Sequence, residues 1–420
     1  MQAVIMAGGK GTRIAKLNKD IPKPMFQLCG KPVLEYAVRE LVSQGITEIT
    51  LVVGHLGSVI KDYFGNGEKF GAQLSYITEE QPLGTAGALY FLKDKLKEDF
   101  FLLNGDIIFS IDFGRMMDYH QKKGGLATLF VHPNSHPYDS GLLEYDSEGR
   151  VTRWLTKEDE RLWYRNRVNA GIHVLSPRIL GMFAELRKTD LDRDILRKLI
   201  LEGELWAYYS TEYVKDMGTP ERYQEVQEDI CNGLVQRKNL LQPQKAIFLD
   251  RDGTINVHDG YITKPEQIRL LPGAAEAIKL INRSGYLAIV VTNQPVIARG
   301  DCTLAQLQEI HNALETKLGE QGGYLDAIYF CPHHPDRGFA GERVEYKVEC
   351  ECRKPNPGML LQAAKDFHIE LKDSYMIGDE TKDAEAGCRA GCSDSILIKV
   401  NEAESGLLKA VREALKVVSK

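Results

Sequence analysis

KAIFLDRDGT, residues 245–254, decides how the chain divides. Lys245 to Leu249 is a short, mostly apolar run, and at Asp250 it gives way to alternating acids, a glycine and a threonine. An apolar run of this length bounded by turn residues reads as a buried parallel strand. An amphipathic stretch, EAIKLINRSG, and a second apolar run, YLAIVVTN, follow it, as in a βαβ unit. The same rhythm has already run through the first half of the chain, as AVIMA from Ala3, PVLEYAVRELVSQG from Pro32, EITLVVG from Glu48 and LSYIT from Leu74. Its abrupt restart predicts two α/β units rather than one long sheet. Between them CNGLVQRKNLLQPQK, residues 231–245, is polar, poorly periodic and contains Pro243, which predicts a linker. The expected domains are therefore 1–230 and 246–420, joined by 231–245. The tail places Leu407, Leu408, Val411, Leu415 and Val418 at helical spacing, as a helix closing over the second domain would.

A length of 420 residues agrees with more than one core, at roughly 100–200 residues per domain. With 43% apolar and 27% charged residues the composition is that of a globular protein. The balance of 53 basic against 59 acidic residues, a net charge of −6, has the wrong sign for a nucleic-acid binder and favours small-molecule partners, while leaving self-association open. The apolar run from Ala3 to Ala7 is too short for a signal-peptide core, and no stretch reaches the ~18 apolar residues of a membrane span, so a cytoplasmic location is expected. Eight cysteines are too sparse for a disulfide framework and are expected as reduced thiols, some holding metal.

In the first half, the strand AVIMA runs into GGKGTR and is followed by PKPM at Pro22–Met25. Glycines after a parallel strand let backbone N–H groups approach phosphate oxygens, and Lys10, Arg13 and Lys23 supply positive charge for a polyphosphate. The pattern is neither a Walker loop nor a GxGxxG fingerprint. Downstream, in order, come QPLGTAG from Gln81, FFLLNGD ending at Asp106, VNAGIHV from Val168 and KDMGTP around Asp216. An acid at the carboxyl edge of a parallel sheet lies where ligands bind, which makes Asp106 a metal candidate, although Asp106 or Asp216 taken singly is better read as a turn or capping residue.

Together these motifs resemble the sugar-phosphate nucleotidyltransferase family over about residues 1–230. The resemblance implies a Rossmann-like fold in which Gly8, Gly9, Gly11, Thr12 and Arg13 cradle a nucleoside triphosphate, with Lys23 on its phosphates. It further implies that Gln81, Gly84 and Thr85 line the base, that Asn169 and Gly171 meet the sugar, and that Asp106 and Asp216 hold Mg²⁺. Such a reaction needs no side-chain nucleophile, because an oxygen of a sugar 1-phosphate attacks the α-phosphate in line and expels pyrophosphate, leaving positioning and charge neutralisation to the protein. Two departures bear on base and sugar identity. The usual F-x-E-K reads Trp154-Leu-Thr-Lys157, which keeps Lys157 for the sugar phosphate but not the acid, and Ala15 to Asn18 replace the usual Pro-Leu-Thr.

In the second half, Asp250 and Asp252 at a strand end can face one phosphate, the first as nucleophile and the second as acid toward the leaving oxygen. Thr292 can donate to a phosphoryl oxygen, Lys354 can neutralise Asp250 and the phosphate, and Asp379 can complete a Mg²⁺ site with Asp250 and Asp252. A helix starting soon after Gly378 would put Asp379 and Asp383 on one face, so that Asp383 could support the site. This set resembles the haloacid dehalogenase superfamily of aspartyl phosphatases over about residues 245–400. Cys331, His333, Cys350 and Cys352 have the paired spacing of a closed zinc site that would clip an otherwise long loop, with His334 a bystander. Within the superfamily, DRDGT, VVTNQ, CPHH, CECRKPNPGM and IGD are similar to the heptose 1,7-bisphosphate phosphatases, with histidinol-phosphate phosphatases as the alternative. That likeness implies substrate contacts from Asn293, Arg353 and Lys354. A 7-phosphatase would leave heptose 1-phosphate, which a nucleotidyltransferase could activate. The expected partners are then heptose phosphates and a nucleoside triphosphate, with guanine favoured and cytosine, adenine and uracil open.

Overall fold

A computed structural model describes residues 1–9, 21–338, 340–399 and 406–416. The chain forms two compact units. The first comprises Met1–His132, Leu143–Trp154 and Asn169–Leu241, and the second Pro133–Leu142, Leu155–Val168 and Gln242–Lys420. Two pieces of the first half of the chain thus belong to the second unit, which a linear boundary does not express. Residues 231–245 include a short helix, Leu234–Arg237, and Leu234, Val235 and Leu240 are buried in the first unit, so apolar side chains in a stretch of weak periodicity still contribute to packing.

In the first unit, Gln2–Met6 lies between Glu48–Val53 and Phe100–Asn104, parallel to both, and Gln73–Thr78 extends the parallel set. Val168–Leu175 pairs antiparallel with Phe100–Asn104. The helix Val33–Ser43 buries Val33, Leu34, Ala37, Val38 and Leu41, the one-sided spacing that drives an amphipathic helix onto a sheet. The strand FFLLNGD stops at Asn104, and the chain turns through Gly105 and Asp106 before Ile107–Ser110, so Asp106 sits in a turn just beyond the strand end.

The second unit is built on a five-stranded parallel sheet in the order Ala327–Cys331, Tyr286–Asn293, Lys245–Leu249, Tyr375–Gly378, Asp394–Leu397. Lys245–Leu249 is central and buried from Ala246 onward, which explains its continuous apolar run. The terminal helix Gly406–Ala414 buries Leu407, Ala410, Val411 and Ala414 against this unit's core, as the tail spacing predicts; Val418 lies outside the described residues. No helix among the described residues is long and apolar enough to cross a membrane.

Within the second unit, Leu155–Val168 is fixed to the helix Leu304–Gly319 by polar contacts. Arg167 Nη1 donates to Glu315 Oε1 at 3.0 Å with both side chains almost wholly buried, and the Tyr164 amide donates to Thr316 Oγ1 at 3.0 Å. Removing one member of a buried ion pair strands the other charge in a medium that solvates it poorly. Glu315→Ala is expected to lower the unfolding free energy of this unit by roughly 3–5 kcal/mol, read from urea titration, with Arg167→Met added to Glu315→Leu recovering most of the loss. Equal destabilisation by the single and paired replacements would show the pair to be unimportant.

Candidate active sites

In the first unit, the strand Gln2–Met6 delivers Ala7, Gly8 and Gly9 to the carboxyl edge of the sheet. The Ala7 amide bonds Val52 O (2.8 Å), and the Gly105 amide bonds Met6 O (2.9 Å). A Cβ on Gly8 would stand 2.8 Å from Glu79 Oε2 and 3.3 Å from Gly54 N, so a side chain here would have to push the Glu79 carboxylate aside. Gly11, Thr12 and Arg13 lie outside the described residues. Lys23 Nζ lies 2.5 Å from Asp106 Oδ2. Asp216 pairs in register with Ile107, which puts the two candidate magnesium carboxylates at adjoining positions on neighbouring chain segments. Asp216 accepts from the Gly218 amide (2.6 Å) and from Arg222 Nη1 (3.0 Å). These are hard oxygen donors, the type Mg²⁺ takes, each now balanced by one cation.

Gly84 has φ +82°, and a Cβ there would reach 2.4 Å from Thr189 O; Thr85 Oγ1 accepts the Leu191 amide at 2.7 Å, so this threonine fastens the segment. Gln81 is exposed at its edge. Gly171, at φ +75°, would clash through a Cβ with Asn104 Nδ2 at 2.3 Å, and Asn169 Oδ1 accepts the Gly171 amide at 3.3 Å. The NAG and NGD motifs therefore meet across the antiparallel strand pair. Asn104, Glu79 and Arg222 are functional candidates that the sequence reading does not single out, although Asn104 is the first residue of the NGD motif and Glu79 lies just before QPLGTAG. Lys157 belongs to Leu155–Val168 of the second unit and is largely exposed.

In the second unit, Asp250 follows the central strand and Lys354 meets it. Lys354 Nζ lies 2.6 Å from Asp250 Oδ1 and 2.7 Å from Asp383 Oδ1, with its side chain wholly buried. Burial works against this ammonium, but the Asp250 and Asp383 carboxylates outweigh it and hold its pKa above the ordinary value. Burial raises Asp250 in turn, with Lys354 opposing. Asn293 grips the Lys354 backbone on both sides, Oδ1 accepting its amide and Nδ2 donating to its carbonyl, both at 3.0 Å, so the asparagine expected at the substrate is engaged in placing the lysine. Buried Thr292 accepts from Gln294 Nε2 at 3.0 Å.

Asp250, Asp379 and Asp383 bring carboxylate oxygens within 4.8 Å of one another. Three carboxylates against one ammonium leave two negative charges, and Asp379 Oδ1 is buried with no hydrogen-bond partner among the described residues. A divalent cation suits both facts. The glycines explain the closeness, since a Cβ on Gly253 would stand 2.2 Å from Asp379 Oδ2, and one on Gly378 would stand 2.4 Å from Asp383 Oδ2. The helix begins at Thr381 with Glu380 as its cap and Asp383 closing the capping box, so Asp379 precedes the helix and does not share a helical face with Asp383. Asp252 is not among the converging carboxylates; its oxygens are turned to Arg251, Asn256 and Gln294.

Cys331, His333, Cys350 and Cys352 form the other metal-competent group. The Cys331 and Cys350 sulfurs are 3.5 Å apart, those of Cys350 and Cys352 3.2 Å, and His333 Nδ1 is 3.4 Å from the Cys352 sulfur. Such spacing is close to the ~3.8 Å between thiolates sharing a tetrahedral zinc, and hydrogen bonds from Cys331 and its neighbours hold Cys352 down to about 5, favouring a thiolate. The cluster could hold zinc. Its second cysteine pair leads directly into the site, because Arg353 Nη1 donates to His333 O (3.1 Å) and Asn356 Nδ2 to Cys350 O (3.0 Å), flanking Lys354. His334 stands aside, its Nδ1 accepting the Asp336 amide.

Residues 2–233 match the nucleotidyl transferase family, and residues 351–419 match the HAD-hydrolase-like family. The mannose-1-phosphate guanylyltransferase of Mycobacterium tuberculosis is 30% identical over 268 residues, 63% of this chain and 72% of its own. The D-glycero-beta-D-manno-heptose-1,7-bisphosphate 7-phosphatase of Pasteurella multocida is 41% identical over 159 residues, 38% of this chain and 84% of its own. The solved structure of HddC from Yersinia pseudotuberculosis aligns with 55% of this chain and 99% of its own at 26% identity and a TM-score of 0.49. The chain belongs to the nucleotidyl transferase family, and its second half to the haloacid dehalogenase-like phosphatases.

Purified protein is expected to carry about one zinc per chain by elemental analysis, lost when Cys350→Ser and Cys352→Ser are combined. The paired variant should lose phosphatase activity through misplacement of Lys354 and keep nucleotidyl transfer. A metal-free preparation with full phosphatase activity would remove zinc from the account.

Proposed function

We propose that the chain is a bifunctional enzyme of nucleotide-activated heptose synthesis, which removes the 7-phosphate of D-glycero-D-manno-heptose 1,7-bisphosphate and transfers a nucleotidyl group, GMP from GTP, to the heptose 1-phosphate that results. The observation that carries this reading is the union in one chain of a nucleotidyl transferase unit with a unit 41% identical to a heptose bisphosphatase. The first reaction makes a sugar 1-phosphate and the second consumes one. Likeness to a guanylyltransferase favours GTP. Both reactions use small, soluble, charged substrates, which suits a cytoplasmic enzyme.

In the phosphatase, the Asp250 carboxylate attacks the phosphorus while Lys354 and Thr292 stabilise charge on the phosphoryl oxygens. Asp252 protonates the departing alkoxide and then takes a proton from the water that hydrolyses the aspartyl-phosphate. Arg353 receives the remainder of the substrate. In the transferase, Gly8 and Gly9 bring backbone amides to the triphosphate and Lys23 meets its charge, with Arg13 completing the cradle. Gln81 and Gly84 take the base, and Asn169 and Gly171 the sugar. Mg²⁺, held by Asp250 and Asp379 beside Asp383 and by Asp106 with Asp216, would neutralise phosphoryl charge in both.

The test supplies the bisphosphate, Mg²⁺ and each of four nucleoside triphosphates, and follows phosphate and pyrophosphate release separately. Asp250→Asn is expected to reduce phosphate release by at least about 10³-fold while sparing nucleotidyl transfer to ready-made heptose 1-phosphate, and Asp106→Ala to do the reverse. Loss of both activities in either variant would contradict two self-sufficient sites.

A further inference from the structure

Asp252, the acid–base of the proposed phosphatase, is enclosed by three side chains that the reaction itself does not use. Arg251, wholly buried, forks onto it, Nε to Oδ1 at 3.0 Å and Nη2 to Oδ2 at 2.7 Å. Asn256 Nδ2 reaches Oδ1 at 2.9 Å and Gln294 Nε2 reaches Oδ2 at 3.0 Å, so each oxygen takes two donors. Gln294 is itself oriented, its Oε1 accepting from Arg251 Nη2 at 3.1 Å, and its Nε2 also donates to the Thr292 hydroxyl at 3.0 Å. The Gly253 amide bonds Asn256 O (2.8 Å) and the Asn256 amide bonds Arg251 O (3.1 Å), closing the turn that carries Arg251, Asp252 and Asn256.

We propose that Arg251, Asn256 and Gln294 are positioning residues of the phosphatase, which together fix the direction of the Asp252 carboxylate and, through Gln294, align it with the phosphoryl donor Thr292. An aspartate on a two-bond stem turns freely unless held, and a proton delivered from a wrongly turned carboxyl does not meet the leaving oxygen. A planar two-point guanidinium contact fixes both oxygens at once, which a lysine ammonium does not reproduce. One amide shared by acid–base and phosphoryl donor makes their spacing a single quantity rather than two independent ones. Arg251, Asn256 and Gln294 are themselves buried while the Asp252 side chain is 20% exposed, so the three side chains that hold it are rigid and its remaining face is open to a substrate.

The inference rests on the reading of Asp252 as acid–base, and the test separates the two. Full-length Arg251→Lys, Gln294→Leu and Asp252→Asn proteins are compared on the heptose bisphosphate, whose alkoxide needs a proton to leave, and on 2,4-dinitrophenyl phosphate, whose phenolate does not. Pyrophosphate release from the same samples reports folding of the chain. Expected for Arg251→Lys and Gln294→Leu is a fall in kcat of roughly 10- to 100-fold on the bisphosphate with KM changed less than about threefold, and a pre-steady-state burst of dinitrophenolate within about threefold of the unaltered protein. Asp252→Asn should show the same split more deeply. If Asp252→Asn shows it and both other variants lose the two substrates equally, change KM alone, or react at the original rate or faster, the positioning role is overturned. If Asp252→Asn itself loses both substrates equally, the acid–base assignment fails first. Should Arg251→Lys not fold, Gln294→Leu, which alters no charge, decides the question.

Discussion

The proposed phosphatase site depends on one ammonium group. Lys354 Nζ stands 2.6 Å from Asp250 and 2.7 Å from Asp383, and no water reaches it. Two carboxylates this close would repel one another strongly in a buried setting, and burial works against the charged form of Asp250. The shared lysine lets both stay near a third acid, Asp379, and so creates a pocket whose remaining negative charge suits a divalent cation and whose positive charge suits a phosphoryl group. The rest of the second unit serves this arrangement. The central strand presents Asp250, the reciprocal amide contacts of Asn293 hold the lysine backbone, and the cysteine–histidine cluster anchors the loop from which Arg353 and Lys354 project.

Glycine is the complementary constraint in both units. At Gly253 and Gly378 an added Cβ would collide with carboxylates of the proposed phosphatase site, and at Gly8, Gly84 and Gly171 with the backbone or side chains that border the proposed nucleotide site. Approach distance acts at all five, and at Gly84, Gly171 and Gly253 a positive φ acts with it. A cation at the centre and glycines at the contacts together allow acids to crowd at the carboxyl edge of a sheet, where parallel strand ends already favour ligands.

Much of this was legible in the sequence because it is carried by local patterns. The apolar run before Asp250, the restart of the βαβ rhythm and the paired cysteines each report on residues close together in the chain. The less legible features are those made by distant residues. The capture of Leu155–Val168 by the second unit depends on the fit of Arg167 to Glu315, and a lone arginine and a lone glutamate carry no signal. The cap role of Glu380, which starts the helix after Asp379, rests on a cap position that a spacing argument places only to within a residue or two. Arg251 and Gln294 stand inside recognised motifs, yet their hold on Asp252 emerges only when the strands are side by side.

In the proposed function, one active site makes the substrate of the other. Phosphorus-31 NMR of a single reaction, with the heptose 1,7-bisphosphate, GTP and Mg²⁺, tests it most directly. The 7-phosphate resonance is expected to be replaced by inorganic phosphate, and pyrophosphate and a sugar diphosphate-linked nucleotide free of 7-phosphate then to appear in equal amounts. A nucleotide sugar that retains the 7-phosphate, or phosphate release with no pyrophosphate from any nucleoside triphosphate, would contradict it.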